Sequence, residues 1–209
     1  INLHKIGWLL SFIGNIPNHK KNTILTARMA IESRSEFKRI LNKENIELDL
    51  EEKGILHLCN DQQSLDHGRK INGWLKEAGL IRKEVSIEEM MSIEPTLNLK
   101  NFSGGFYTKS DMSGDIHKFT KLLADASEKK GVRFFYETEI TTIQHNQKQP
   151  IVYFNQSNNK HKQNYDGIVI CAGVNSKFLA NKLGDSVNIY PVKGYSITLL
   201  LNDEDSFNN

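Results

Sequence analysis

The chain has 209 residues and a formal net charge of +2, with 38% apolar and 25% charged residues, which is ordinary for a globular protein. At about 150 residues per domain, this length allows one large domain or two small ones. No stretch approaches the roughly 18 consecutive apolar residues of a membrane-spanning helix. The small net charge and the mixing of basic with acidic residues give no reason to expect a nucleic-acid partner.

The first 21 residues carry large apolar side chains followed by a basic cluster at 19–21. Two interpretations are open. A short amphipathic helix can lie on a membrane surface, or the apolar side chains can pack against another part of the protein, which better explains the absence of a clean polar face. The apolar residues are Ile6, Trp8, Leu9, Leu10, Phe12 and Ile13.

Helical periodicity is clear in three places. Apolar residues recur at helical spacing over 22–42 and again over 64–78, where Gly79 ends the pattern. A third helix is predicted after the cap residue Asp115 and ends at Gly131. Ser86 begins a shorter helix, because Glu89 follows it at the spacing of a capping box.

Strands are predicted from β-branched and aromatic runs. They are expected at 55–59, 132–136, 139–143 and 151–154, with 155–164 as a polar link. The glycine-rich stretch 102–114 is predicted to be an extended connector or a pocket lining, with a turn between Phe106 and Tyr107. The mixture indicates an α/β (α+β mixed) fold.

The run Ile168–Ala172 is apolar at consecutive positions, which is typical of a strand covered on both faces. Gly173 ends it, and a helical segment follows. Ligands bind at such strand ends in open α/β sheets, although a buried strand with no ligand explains the pattern equally well. Both cysteines, Cys59 and Cys171, are predicted to be reduced and buried in a cytosolic protein.

No pattern identifies catalytic chemistry on its own. The histidines lack metal-ligand spacing, so no metal site is expected. The G-x-G-x-x-G fingerprint, the P-loop and the G-x-S-x-G elbow are absent from the sequence.

The sequence nevertheless resembles the FAD-dependent D-amino-acid oxidoreductases, and among them the bacterial D-amino acid dehydrogenases. The PVKGYS run at 191–196 is the strongest single element, and the similarity covers most of the chain from about residue 22. The other elements that carry it are the helix–Gly54–strand segment, Glu94-Pro95, Gly104-Gly105, Asp111, Gly114-Asp115, Phe119-Thr120, 131–134, Thr138–Ile140, Asp166–Ser176 and Leu183-Gly184.

The resemblance implies a partial FAD-binding Rossmann-like domain interleaved with a mixed-sheet substrate domain. Residues 22–110 are then mostly substrate domain, 111–184 mostly FAD-binding domain, and 185–209 return to the substrate domain, with 1–21 unassigned. The chain is expected to be an internal portion of a longer protein, because the family's glycine-rich motif and its substrate-binding arginine have no counterpart in it.

The resemblance also implies the site and the chemistry. Ile140, Cys171, Ala172 and Gly173 are expected to contact FAD, and Tyr195 is a candidate substrate-pocket residue. The expected reaction is hydride transfer from a D-amino acid to FAD, followed by hydrolysis to a 2-oxo acid and ammonia, with no side-chain base required.

Several alternatives stay open. A glycine- or sarcosine-type amine oxidase would preserve the same fold, and a truncated, non-catalytic domain would bind no FAD. The resemblance leaves the electron acceptor undetermined. The expected location is cytoplasmic, with peripheral association at the inner face of the membrane as an option.

Overall fold

The computed structural model describes residues 3–145 and 149–197, which form two compact units: 3–16 with 133–197, and 17–132. Three 3-10 helices lie at Ile16–Asn18, Leu99–Asn101 and Gly173–Asn175. The α-helices are α1 (Leu3–Gly14), α2 (His19–Glu44), α3 (Gln62–Glu77), α4 (Ile87–Ile93), α5 (Ile116–Glu128) and α6 (Ser176–Lys182), and the strands are β1 (Ile55–Cys59), β2 (Lys83–Val85), β3 (Gly104–Thr108), β4 (Thr138–His145), β5 (Pro150–Gln156) and β6 (Asn159–Asn164).

The unit at 17–132 is built on an antiparallel sheet in the order β1-β3-β2. Phe106 of β3 pairs with His57 of β1 and with Glu84 of β2, and its side chain is fully buried. It packs with Cys59 and with Leu65 of α3. A second cluster, around Met90 of α4, includes Leu58 of β1 and Tyr107 of β3, whose side chains alternate with those of His57 and Phe106. Helices therefore pack on both faces of this sheet.

The glycine-rich stretch 102–114 contains the central strand of this sheet, so the prediction of a connector with a turn between Phe106 and Tyr107 was wrong. Two adjacent glycines disfavour a strand when it is considered alone. Here close packing requires the second of them, Gly105. A Cβ at Gly105 would lie 2.6 Å from the carbonyl oxygen of His57 and 3.1 Å from the sulfur of Met90.

The helix predictions were confirmed, with ends shifted by a few residues. Asp61 caps α3, Ser86 caps α4 within the predicted capping box, and Asp115 caps α5 by accepting a hydrogen bond from the backbone N–H three residues later. These backbone hydrogen bonds hold the pKa of the Asp61 and Asp115 carboxyls below its usual range. Gly79 and Gly131 follow α3 and α5 with positive φ values of 94° and 92°, as expected for helix-ending glycines.

The unit that contains 133–197 is built on the antiparallel meander β4-β5-β6. Ser157 and Asn158 join β5 to β6 with φ values of 50° and 64°, which matches a two-residue hairpin turn. The predicted strands at 139–143 and 151–154 were confirmed. The prediction of a polar link over 155–164 was wrong, because strand β6 lies within it. All six residues of β6 are exposed, so the strand is defined by its backbone pairing with β5.

Two predicted strands, 132–136 and Ile168–Ala172, are not formed. No strand among the described residues pairs with either segment. Val169 is 86% exposed, and Cys171 is exposed although Cys59 is buried as predicted. An apolar run becomes a buried strand only when neighbouring strands take up its backbone hydrogen bonds. That requirement cannot be read from the run itself.

The mixed helix–sheet fold class was confirmed. The compact units divide between 132 and 133, whereas the expected boundary between substrate and FAD-binding segments lies between 110 and 111. That functional assignment stays a prediction. Across 3–145 and 149–197, none of the helices is both long and apolar enough to cross a bilayer.

Candidate functional site

An apolar cavity of about 450 Å³ lies against one face of the β4-β5-β6 sheet. Its floor contains Ile143 and Val152, which face each other across β4 and β5 and are almost fully buried. Leu179 of α6 lines another side. The extended segment 167–172 also lines the cavity, and the single glycine there leaves its backbone accessible.

Ile140 reaches this cavity from β4. A β-bulge follows it, because the register with β5 shifts between Ile140 and Thr142. The hydroxyl of Thr141, the extra residue, donates a 3.1 Å hydrogen bond to the carbonyl oxygen of Tyr153. Bulges redirect neighbouring side chains and are frequent beside binding sites. Ile140 is 37% exposed, so it remains accessible to a ligand.

Cys171 and Ala172 line the same cavity as Ile140, although they lie about 30 positions later in the sequence. The backbone N–H of Ala172 donates a 3.1 Å hydrogen bond to the hydroxyl of Ser176, which ties this turn to the start of α6. Gly173 lies just beyond the lining residues. Its φ of 55° is in the left-handed region, which favours glycine.

The structure therefore brings together three of the four predicted cofactor contacts and places the fourth next to them. Tyr195 is separate from this group. It is 93% exposed, lies in a segment without regular secondary structure, and is not among the cavity-lining residues. Its role in substrate binding stays a prediction.

Sequence reasoning missed Tyr165, which also lines the cavity and contributes the one aromatic ring among the described lining residues. Its backbone N–H donates a 3.0 Å hydrogen bond to the carbonyl oxygen of Pro150, at the start of β5. Val152 was predicted to lie in a strand but not in a site. The alternation of side chains along β5 places it on the same face as Phe154, which pairs with Ile140.

The lining suits a largely apolar ligand. Cavities of about 300–1,000 Å³ with mostly apolar walls and a few polar groups are typical of cofactor sites. Among the described residues of the lining, the polar side-chain groups are the Cys171 thiol and the Tyr165 hydroxyl, and none of these residues carries a carboxylate or an imidazole. This part of the wall can therefore bind and orient a ligand. Across 3–145 and 149–197, no cluster of three or more histidine, cysteine or acidic residues has the arrangement of a metal site.

A second cavity, of about 500 Å³, lies in the unit at 17–132. Its walls include Ile81, Val85, Tyr107 and the ion pair between Lys83 and Glu89, whose charged atoms are 2.5 Å apart. None of the predicted site residues lines it. The first cavity is therefore the candidate functional site.

Comparisons with known proteins agree with this fold. Across 95% of the chain, 44% of residues are identical to D-amino acid dehydrogenase 3 of Mesorhizobium japonicum, and the match covers 48% of that relative. The chain thus spans about half the length of the curated relatives it matches.

Two solved structures share the fold at low sequence identity. L-proline dehydrogenase from P. horikoshii has a TM-score of 0.66 at 16% identity, with 75% of this chain and 41% of that one covered. Glycine oxidase from Geobacillus kaustophilus has a TM-score of 0.62 at 19% identity, with 77% and 41% covered. The sequence model of the FAD dependent oxidoreductase family matches residues 5–208. The chain belongs to the FAD-dependent oxidoreductase family.

Proposed function

We propose that the full-length protein oxidises D-amino acids to 2-oxo acids and ammonia with FAD as cofactor. The observation that carries this proposal is the 44% identity to a D-amino acid dehydrogenase over 95% of the chain. Because the chain covers about half of that relative, the proposal concerns the whole protein.

The candidate cavity is proposed to hold part of the cofactor. The cavity is large enough for part of a cofactor, and it is lined by Ile140, Cys171 and Ala172. The turn at Gly173 follows directly after Ala172. FAD, when bound, supplies the hydride-accepting chemistry. The residues of this chain bind and orient the cofactor, and the aliphatic floor formed by Ile143 and Val152 excludes water from its apolar surface.

The domain assignment is proposed in the same terms. The β1-β3-β2 sheet lies within 22–110, the segment assigned to the substrate domain. The meander β4-β5-β6 and the candidate cavity lie within 111–184, the segment assigned to FAD binding. Residues 185–209 are proposed to return to the substrate domain. Tyr195, which lies on this last segment, is the proposed substrate-side residue.

The activity is tested with the purified full-length protein. We expect a bound flavin spectrum that D-alanine bleaches without oxygen and that L-alanine leaves unchanged. Bleaching by glycine or sarcosine and not by D-alanine would instead identify an amine oxidase of the same family. A colourless protein that gains no flavin spectrum on addition of FAD would refute a flavoenzyme and favour a non-catalytic domain.

A cytoplasmic location with peripheral membrane association is also proposed. Cys59 and Cys171 are both free thiols, which suits a reducing compartment. Membrane association is supported by α1, which exposes large apolar side chains such as Leu10 and Phe12.

A further inference from the structure

The second cavity, of about 500 Å³, lies against one face of the β1-β3-β2 sheet. Lys83 pairs with Tyr107 across β2 and β3, and Val85 follows Lys83 by two positions on β2. Because side chains alternate along a strand, these three residues lie on the same face of the sheet. Val85 and Tyr107 pack with Met90 of α4 on that face. The cavity is therefore enclosed by a sheet face and a helix of one compact unit.

The apolar lining of this cavity has a fixed part and an accessible part. Val85 is almost fully buried, and the hydroxyl of Tyr107 donates a 2.5 Å hydrogen bond to the carbonyl oxygen of Lys53, which holds the ring in place. Ile81 and Ile93, by contrast, are 85% and 36% exposed. A ligand with an aliphatic chain would remove their apolar surface from water, which favours binding.

The charged residues of the lining indicate the sign of the ligand. They are Lys83, Glu89 and Lys109. The carboxylate of Glu89 is already occupied, because it accepts a 2.5 Å hydrogen bond from the ammonium of Lys83 and a 3.0 Å hydrogen bond from the backbone N–H of Ser86. The ammonium of Lys109 forms no ion pair with any residue of 3–145 and 149–197. An available cation beside apolar walls complements a ligand that has both a carboxylate and an aliphatic chain.

We propose that this cavity binds an aliphatic carboxylate of medium chain length, with the chain against Ile81 and Ile93 and the carboxylate at Lys109. None of the residues expected to contact FAD or the amino acid lines this cavity. Such a site goes beyond the proposed oxidation of D-amino acids and does not depend on it.

The test uses the purified full-length protein and two probes that have the same chain and opposite charges, octanoate and octylamine. Isothermal titration calorimetry measures the Kd of each probe for the wild type, Lys109→Gln, Lys109→Glu and the control Lys121→Glu. Lys121 is an exposed lysine of α5 that does not line the cavity. Thermal melting is measured on the same samples, and flavin bleaching by D-alanine reports separately on the proposed activity.

We expect the wild type and the control to bind octanoate more tightly than octylamine. Lys109→Gln should weaken octanoate binding about fivefold, because an ion pair that is open to solvent is lost. Lys109→Glu should reverse the preference in favour of octylamine, since a carboxylate then replaces the ammonium.

Three results would overturn the proposal. Equal octanoate binding by the wild type and Lys109→Glu would show that the probe binds elsewhere. Absence of octanoate binding by the wild type would show that the cavity is closed in the full-length protein. Both Lys109 variants should melt at the wild-type temperature, because this exposed side chain makes no ion pair within 3–145 and 149–197. A lowered melting temperature in both would show that Lys109 already has a partner in the full-length protein.

Discussion

Because α3 packs on the β1-β3-β2 sheet, we expect alanine substitutions at two glycines of this helix to have different effects on stability. A Cβ built at Gly68 would lie 2.3 Å from the Cε2 atom of the Phe106 ring, whereas nothing lies within 4 Å of a Cβ at Gly73. The Phe106 ring is fully buried, and the guanidinium of Arg82 lies 4.5 Å from its centre. The ring therefore has little room to move away from a new methyl group.

Gly73→Ala should stabilise the protein by about 0.5–1 kcal/mol, because alanine loses less backbone entropy in a helix. Gly68→Ala has the same gain but adds overpacking that costs about 1–3 kcal/mol. The expected net effect of Gly68→Ala is a loss of about 1 kcal/mol, within a range of roughly 0–2.5 kcal/mol. The two substitutions are chemically identical, yet they should change the free energy of unfolding in opposite directions.

The assay is urea unfolding followed by the fluorescence of Trp74, which lies in α3, in a Trp8→Phe background. In a Phe106→Leu background, the smaller side chain should make room for the methyl group, so the cost of Gly68→Ala should shrink by at least about 0.5 kcal/mol. If Gly68→Ala is as stable as Gly73→Ala, or if its effect is unchanged beside Phe106→Leu, the packing argument is refuted.

Three further predictions follow from local features. Ser86→Ala should lower the free energy of urea unfolding by about 1 kcal/mol, because the cap of α4 is lost. Ser86→Asp should retain most of the stability, since aspartate can also cap a helix. Equal losses of stability in the two variants would show that Ser86 does not stabilise α4 as a cap. A thiol reagent should react quickly with Cys171, which is exposed, and slowly with Cys59, which is buried. A fast phase of the reaction that survives Cys171→Ser would contradict these exposures. Burial, and then the positive charge of Arg82, lower the pKa of His57. The stability that depends on neutral His57 should therefore be complete above its ordinary pKa of about 6.5 and fall as the pH drops from there toward the lower native pKa. His57→Gln should flatten this part of the stability profile, and an unchanged slope would show that another group is responsible.

Elements whose signals are local could be predicted from the sequence. The capping box at Ser86 and the stop at Gly131 involve residues within one or two helical turns, and the amphipathic period reports directly which face of a helix is buried. Strand β1 was also predicted correctly from its apolar run. The family was recognised from the order and spacing of short motifs, among which the PVKGYS run is prominent.

Which extended segments form strands depends on the fold as a whole. Gly104–Thr108 has a poor strand composition, yet it is the central strand because neighbours pair with it on both sides. Asn159–Asn164 is entirely polar, yet it pairs with β5. The apolar segment Ile168–Ala172 has a better composition and forms no strand. Strand formation requires a partner for the backbone, and the partner is distant in sequence.

In the candidate site, too, single residues could be predicted from the sequence, whereas their arrangement depends on the fold. The resemblance identified Ile140 and Cys171 as separate positions, and nothing in the spacing between them predicts a shared cavity. The meander, its bulge after Ile140 and the turn before α6 bring them together. The fold also adds Tyr165, whose place is set by a backbone hydrogen bond to Pro150 at the far end of a hairpin. A binding cavity depends on distances between chain segments, and these distances exist only once the chain has folded.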